Sequence, residues 1–140
     1  MKGIRILLVD DHSVILSGLR KFMMVNRDLE TVGEAMDGAE AVQMADLHKP
    51  DVILMDLMMP GMDGVAATRE IHKNNPQVKI IALTSFCELN MVPGALAAGA
   101  IGYLEKNVTA VELKNAIHSA VAGRMNLSSD WSRSMAQMAA

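Results

Sequence analysis

Two hydrophobic rhythms alternate along the chain. Short, mostly apolar runs rich in β-branched residues each end in a polar residue, and between them lie stretches in which apolar positions recur every three or four residues. The runs predict strands: β1 at Ile4–Val9 ending in Asp10-Asp11, β3 at Val52–Met55 ending in Asp56, β4 at Val78–Leu83 ending in Thr84-Ser85, and β5 at Ile101–Leu104 ending in Glu105-Lys106. A less apolar segment, Glu30–Ala35, predicts β2. The longer rhythm predicts helices. In Ser13–Val25 (α1), Val14, Ile15, Leu19, Phe22 and Met23 form a stripe that leaves Arg20 and Lys21 outside it. Ala39–His48 (α2) follows an Asp37-Gly38 turn and is closed by Pro50, and Val65–Lys73 (α3) stops at Asn74-Asn75-Pro76. Glu88–Ala100 (α4) contains Pro93 and Gly94, both poor in a helix interior, so this helix is expected to be short or weak at its start. Thr109–Ala122 (α5) ends at Gly123.

Strands alternating with helices imply parallel βαβ units with right-handed crossovers and helices on both faces of one sheet. The expected fold is therefore α/β, a three-layer (βα)5 doubly wound sheet. Two doubly wound strand orders suit such a chain. The flavodoxin-like order 2-1-3-4-5 sets β1 beside β3 at the switch point, and the site reading below depends on that adjacency. Residues 1–123 are read as this domain. Residues 124–140, with Ser128, Ser129, Asp130 and Trp131, are read as a linker that starts a further helix and is too short for a DNA-binding domain.

Composition narrows the class. Of 140 residues, 51% are apolar, enough for a core, and the net charge of −3 lacks the basic excess that contact with many phosphates needs. DNA contact is therefore expected only through a domain outside this segment. The lone Cys87 forms no internal disulfide, the first residues reach two aspartates too soon for a signal peptide, and no apolar run approaches the roughly 20 residues that span a bilayer. A cytoplasmic protein without membrane contact is expected. Thirteen methionines against four aromatic residues suggest a core filled with flexible thioethers.

The candidate chemistry lies at the carboxyl ends of the strands, where ligands bind in open α/β sheets. Asp10, Asp11, Asp56, Thr84 and Lys106 all fall there. Three converging carboxylates repel one another unless a cation lies among them. An all-oxygen donor set with no paired histidines or cysteines favours a hard ion, Mg²⁺. A carboxylate can itself attack phosphorus to give an aspartyl phosphate, and the central position of Asp56 suits it to that role. Lys106 offers a positive charge and Thr84 a hydroxyl donor for the oxygens of the incoming group.

Taken in order, Val9-Asp10-Asp11-His12, Leu54-Met55-Asp56-Leu57-Met58-Met59-Pro60-Gly61-Met62-Asp63-Gly64, Ala82-Leu83-Thr84-Ser85 and Gly99-Ala100 leading to Gly102-Tyr103-Leu104-Glu105-Lys106 resemble the receiver family of two-component response regulators. The resemblance covers about Ile4 to Gly123. It implies that Asp56 is phosphorylated from a phosphohistidine of a sensor histidine kinase, that Asp11 binds Mg²⁺ directly, and that Asp10 helps through water or a second contact. It further implies that the main-chain carbonyl of Met58 completes the metal site, that Thr84 and Lys106 hold the phosphoryl group, and that Tyr103 changes rotamer as Thr84 moves. Such a domain is not an enzyme in the ordinary sense, because it catalyses its own Mg²⁺-dependent phosphorylation and dephosphorylation. Asp11-His12, and Asn107 where many receivers carry proline, look more like the NarL/FixJ transcription regulators, in which a helix-turn-helix domain follows. The expected output face is α4-β5-α5, with a homodimer forming on phosphorylation because regulators of palindromic DNA need two-fold symmetry.

Blander readings stand beside these. Asp37 and Asp63 read as solvated loop charges, Cys87 as an ordinary thiol, and His12 as a neighbour of the acids, since the four histidines fall on different segments. Met58, with Phe86, is expected to hinder water at Asp56. A flavin site is disfavoured by Asp10-Asp11, which would repel a phosphate, and a P-loop hydrolase by the missing Gly-Lys-Ser/Thr. A free-standing phosphatase lacks a suitably spaced second acid after Asp56. The principal alternative is an interaction module of the same fold that works without phosphorylation.

Overall fold

The computed structural model describes residues 3–124. The linker expected at residues 124–140 lies, from Met125 onward, outside the described residues. Five parallel strands, β1 Ile4–Val9, β2 Leu29–Ala35, β3 Val52–Asp56, β4 Lys79–Thr84 and β5 Gly102–Glu105, form one sheet in the order β2-β1-β3-β4-β5. The flavodoxin-like expectation holds. The helices are α1 Ser13–Val25, α2 Gly38–His48, α3 Gly64–Asn74, α4 Val92–Ala98 and α5 Ala110–Val121.

Strand residues alternate between two cores, as the two-residue pleat requires. Leu7, Val9, Ile53, Met55, Ile80, Ala82 and Tyr103 join one buried cluster with residues of α2, α3 and α4. Ile6, Leu8, Val52, Leu54, Ile81, Leu83 and Leu104 join the other, with Leu16 and Met23 of α1 and Leu113, Ala116 and Ile117 of α5. The central strands are buried on both faces, which explains their unbroken apolar sequence, and each fully buried large aliphatic side chain contributes roughly 1.5–3 kcal/mol. At one edge, the β1–β2 register slips between Ile6 and Leu7, a bulge that bends β2; at the other, β5 has only four residues. No helix among the described residues is long and apolar enough to cross a membrane.

Two departures from the expected elements have local causes. The segment before α4 is a 3-10 helix, Phe86–Met91, and α4 begins only at Val92 with Pro93 in its first turn. Proline has no N–H to donate backward, so it fits a helix start and cannot continue a helix that begins at Glu88. Asp37 and Asp63 are not merely solvated charges. Asp37 Oδ1 accepts from the Glu40 N–H at 2.8 Å and Asp63 Oδ1 from the Ala66 N–H at 2.9 Å, capping α2 and α3. Each such cap contributes about 1 kcal/mol.

Candidate functional site

The strand order brings the ends of β1 and β3 side by side, with Val9 paired to Met55. Asp10 and Asp56 are fully buried there, and Asp11 is partly exposed. One ligand-type atom from each of Asp10, Asp11, His12 and Asp56 lies within 4.8 Å of the others. The three carboxylates expected to converge do so.

Lys106 reaches the same place from the far side of the sheet. Its backbone N–H donates to the Thr84 carbonyl at 2.8 Å, extending the β4–β5 ladder by one residue. Its Nζ then lies 2.9 Å from Asp56 Oδ1 and 3.4 Å from Asp10 Oδ2, with the side chain only 13% exposed. Burial works against the ammonium charge, but Asp56, Asp10 and Glu88 outweigh it and hold the lysine above its usual range. Burial also pushes the Asp56 carboxyl up to about 6; the charge of Asp10 adds to the rise, while Lys106 and the Met58 N–H oppose it. The net rise is chiefly the cost of burying a charged carboxylate, which the contact with Lys106 offsets only in part.

Unsatisfied atoms point the same way. Asp56 Oδ2 is buried without a hydrogen bond, and the buried Asp10 Oδ2 and Asp11 Oδ1 have only ion-pair approaches, from Lys106 at 3.4 Å and His12 at 3.1 Å. Buried carboxylate oxygens without donors are costly, and a divalent ion is the group that satisfies several at once. The residues present therefore fit a metal. They differ in one respect from the all-oxygen set expected from the sequence. His12 Nδ1 is 2.9 Å from Asp10 Oδ1 and 3.1 Å from Asp11 Oδ1, so a nitrogen stands among the oxygens. The hydrogen bond with Asp10, followed by the charges of Asp11 and Asp10, raises the imidazole's proton affinity. The local signal was the place of His12 as the residue before α1, where the chain turns back over β1.

The loop after Asp56 is held by close backbone approaches. Gly64 N–H donates to the Leu57 carbonyl at 3.0 Å, and a Cβ on Gly64 would collide with the Asp56 carbonyl oxygen. Gly38 N–H donates to the Met62 carbonyl at 3.2 Å, and a Cβ there would collide with that same carbonyl. Only glycine permits either approach. Within this loop Met59 is buried, while Met58 is 52% exposed and sends its N–H toward Asp56 Oδ1 at 3.4 Å.

The remaining candidates divide. The Thr84 hydroxyl, buried at the end of β4, donates to the Ser85 carbonyl at 3.0 Å, so it must leave that bond to serve a ligand. Tyr103 is fully buried in the core beneath α4. Phe86 is 83% exposed, and Cys87 beside it is exposed. Sequence reasoning gave no role to Glu88, whose Oε1 is buried without a hydrogen bond and whose charge reaches Lys106.

Comparison with known proteins agrees with this architecture. The family model for the response regulator receiver domain matches residues 6–118. The transcriptional regulatory protein LiaR of Bacillus subtilis (strain 168) is 46% identical over 126 residues, covering 90% of this chain and 60% of LiaR. The response regulator VraR of Staphylococcus aureus (strain NCTC 8325) is 42% identical over 120 residues, covering 86% of this chain and 57% of VraR. The chain thus spans about 60% of the length of such curated relatives. A LuxR-family two-component response regulator from Aurantimonas sp. SI85-9A1 superposes with a TM-score of 0.90 at 34% identity over 98% of both chains. A signal receiver domain from Mycobacterium tuberculosis, described as NarL, superposes at 0.83 with 31% identity over 89% of this chain and all of that one. With its parallel sheet, its acidic strand ends and these matches, the chain belongs to the receiver domains of two-component response regulators, in their NarL/FixJ (LuxR-type) subgroup.

Proposed function

We propose that this receiver accepts a phosphoryl group on Asp56 from the phosphohistidine of a sensor histidine kinase. A carboxylate oxygen of Asp56 forms the new bond to phosphorus, the phosphorus–nitrogen bond of the donor breaks, and its electron pair stays with the departing imidazole. The observation that carries this reading is a fully buried Asp56 at the end of the central strand, one oxygen 2.9 Å from Lys106 and the other without a hydrogen bond.

Asp10, Asp11 and Asp56, with the Met58 main-chain carbonyl, would hold Mg²⁺, which supplies charge neutralisation between the carboxylates and the incoming phosphoryl oxygens. Lys106 already stands at Asp56 and needs only to transfer its contact to a phosphoryl oxygen. Thr84 exchanges its bond with the Ser85 carbonyl for one to the phosphoryl group. That exchange pulls on the start of the 3-10 helix Phe86–Met91. Tyr103 in the core beneath α4 adjusts with it, and α4-β5-α5 becomes the output surface.

Residues 1–123 act as the receiver and 124–140 as the link to a C-terminal DNA-binding domain, with a phosphorylated homodimer as the active form. The length of the LiaR and VraR relatives beyond this segment supports that organisation. The test is intact mass after treatment with acetyl phosphate and Mg²⁺. Wild type gains one phosphoryl mass and Asp56→Asn gains none. An unmodified wild type favours an interaction module that works without phosphorylation.

A further inference from the structure

The fourth member of the acidic cluster is the imidazole of His12. Around a six-coordinate divalent ion with bonds of about 2.0–2.2 Å, neighbouring ligand atoms lie about 3 Å apart. The two spacings of His12 Nδ1, 2.9 Å to Asp10 Oδ1 and 3.1 Å to Asp11 Oδ1, match such edges. The backbone of His12 is held at the site as well, while its Nδ1 makes a hydrogen-bonded contact with Asp10 Oδ1. His12 is the N-cap residue of α1, in extended conformation, and its N–H donates to Asp10 Oδ1 at 2.9 Å. Its side chain is 58% exposed, so small ring movements disturb no packing. In the same cluster, Asp56 Oδ2 is a buried oxygen without a hydrogen bond, and Asp10 Oδ2 has only the 3.4 Å approach of Lys106, both on side chains of no exposure.

We propose that His12 is a nitrogen ligand of this metal site and makes it prefer first-row transition ions, from manganese to zinc, over magnesium. The inference rests on reading Asp10, Asp11 and Asp56 as the metal-binding carboxylates. Magnesium takes oxygen ligands and keeps its waters, so a nitrogen adds little to its binding. Imidazole suits the transition ions, whose affinity for mixed nitrogen and oxygen sites rises along the series to copper. His12 thus determines which ion the carboxylates hold, while the carboxylates determine that one is held.

The test is calorimetric titration of the full chain with Co²⁺ and, separately, Mg²⁺, for wild type, His12→Asn and Asp11→Asn. Asparagine is a favoured helix N-cap, so His12→Asn keeps the start of α1. His12→Asn is expected to weaken Co²⁺ at least about tenfold while leaving Mg²⁺ nearly unchanged. Asp11→Asn is expected to weaken both. In the Co²⁺-loaded wild type, proton NMR should show a strongly shifted, exchangeable imidazole N–H signal that His12→Asn lacks. Unchanged Co²⁺ affinity in His12→Asn, equal losses for both ions, or no such signal would overturn the role of His12 while leaving the carboxylate site standing. A wild type that binds neither ion overturns the metal reading itself.

Discussion

The two halves of the sheet's carboxyl edge are built on opposite lines. On the β1–β3 side, buried acids sit in a loop fixed by side-chain caps on α2 and α3 and by two glycine contacts that admit no Cβ. On the β4 side, the chain leaves the sheet as a 3-10 helix with no side-chain cap and no buried residue, then a seven-residue α4. Charge is concentrated where the backbone is most constrained, and few buried contacts are placed where movement is needed. On the proposed function, a new negative group on the first half would meet resistance there and find the least costly response in the second. The contrast separates a charge-bearing frame from a compliant reader.

The largest change should come from removing the charge itself. Asp56→Asn eliminates phosphorylation and also stabilises the fold near neutral pH by about 1–3 kcal/mol, read as a higher midpoint in denaturant. The sign follows from a folded-state carboxyl raised to about 6 against an ordinary value of 3.8. Between those values the folded state holds more protons than the unfolded one, so the contribution of Asp56 to stability falls as pH rises and is lowest above about 6. The advantage of Asp56→Asn should therefore shrink as pH is lowered through that window. An advantage independent of pH would break the link between burial and charge. Next in size is Gly64→Ala, which forces a Cβ into the Asp56–Leu57 backbone and should cost about 1–3 kcal/mol in chemical denaturation.

Removing a cap from the frame tests the same contrast more gently. Asp63→Ala should cost about 1 kcal/mol and increase amide exchange in the first turn of α3. The smallest effect is expected on the reader side and with the opposite sign. A Cβ at Gly94 meets only Val65 at an ordinary 3.6 Å, so Gly94→Ala should stabilise by about 0.5–1 kcal/mol. It should also reduce the change in hydrogen exchange across residues 86–104 on phosphorylation. If Gly94→Ala destabilises as much as Gly64→Ala, the proposed division of stiffness is wrong.

Most of this arrangement was legible from local pattern. Apolar runs ending in acids located β1 and β3; alternation with helices left two doubly wound orders, and the structure has the flavodoxin-like one that brings Asp10 beside Asp56. The missed features depend on distant partners or on side-chain direction. The sequence shows that Asp37 and Asp63 precede helices, but their caps exist only once the chain turns there. Glycine at 38 and 64 reads as a turn signal, whereas Gly38 meets the Met62 carbonyl of the loop after β3 and Gly64 meets the Asp56–Leu57 backbone at the start of that same loop. Pro93 signalled a weak helix, and the segment before it resolved as a 3-10 turn because no N–H was available to continue the wider spiral. Whether His12 faces solvent or the acids depends on one torsion, which periodicity does not encode.

The bulge in β2 and the brevity of β5 bear on how copies of the molecule meet. Unpaired main-chain donors and acceptors attract any extended peptide regardless of its side chains, and both borders of this sheet offer little straight backbone for such pairing. The homodimer proposed above would then form through the helical flanks, where side-chain identity decides which neighbour is accepted. In that proposed assembly, two imperfect borders would leave recognition to side chains.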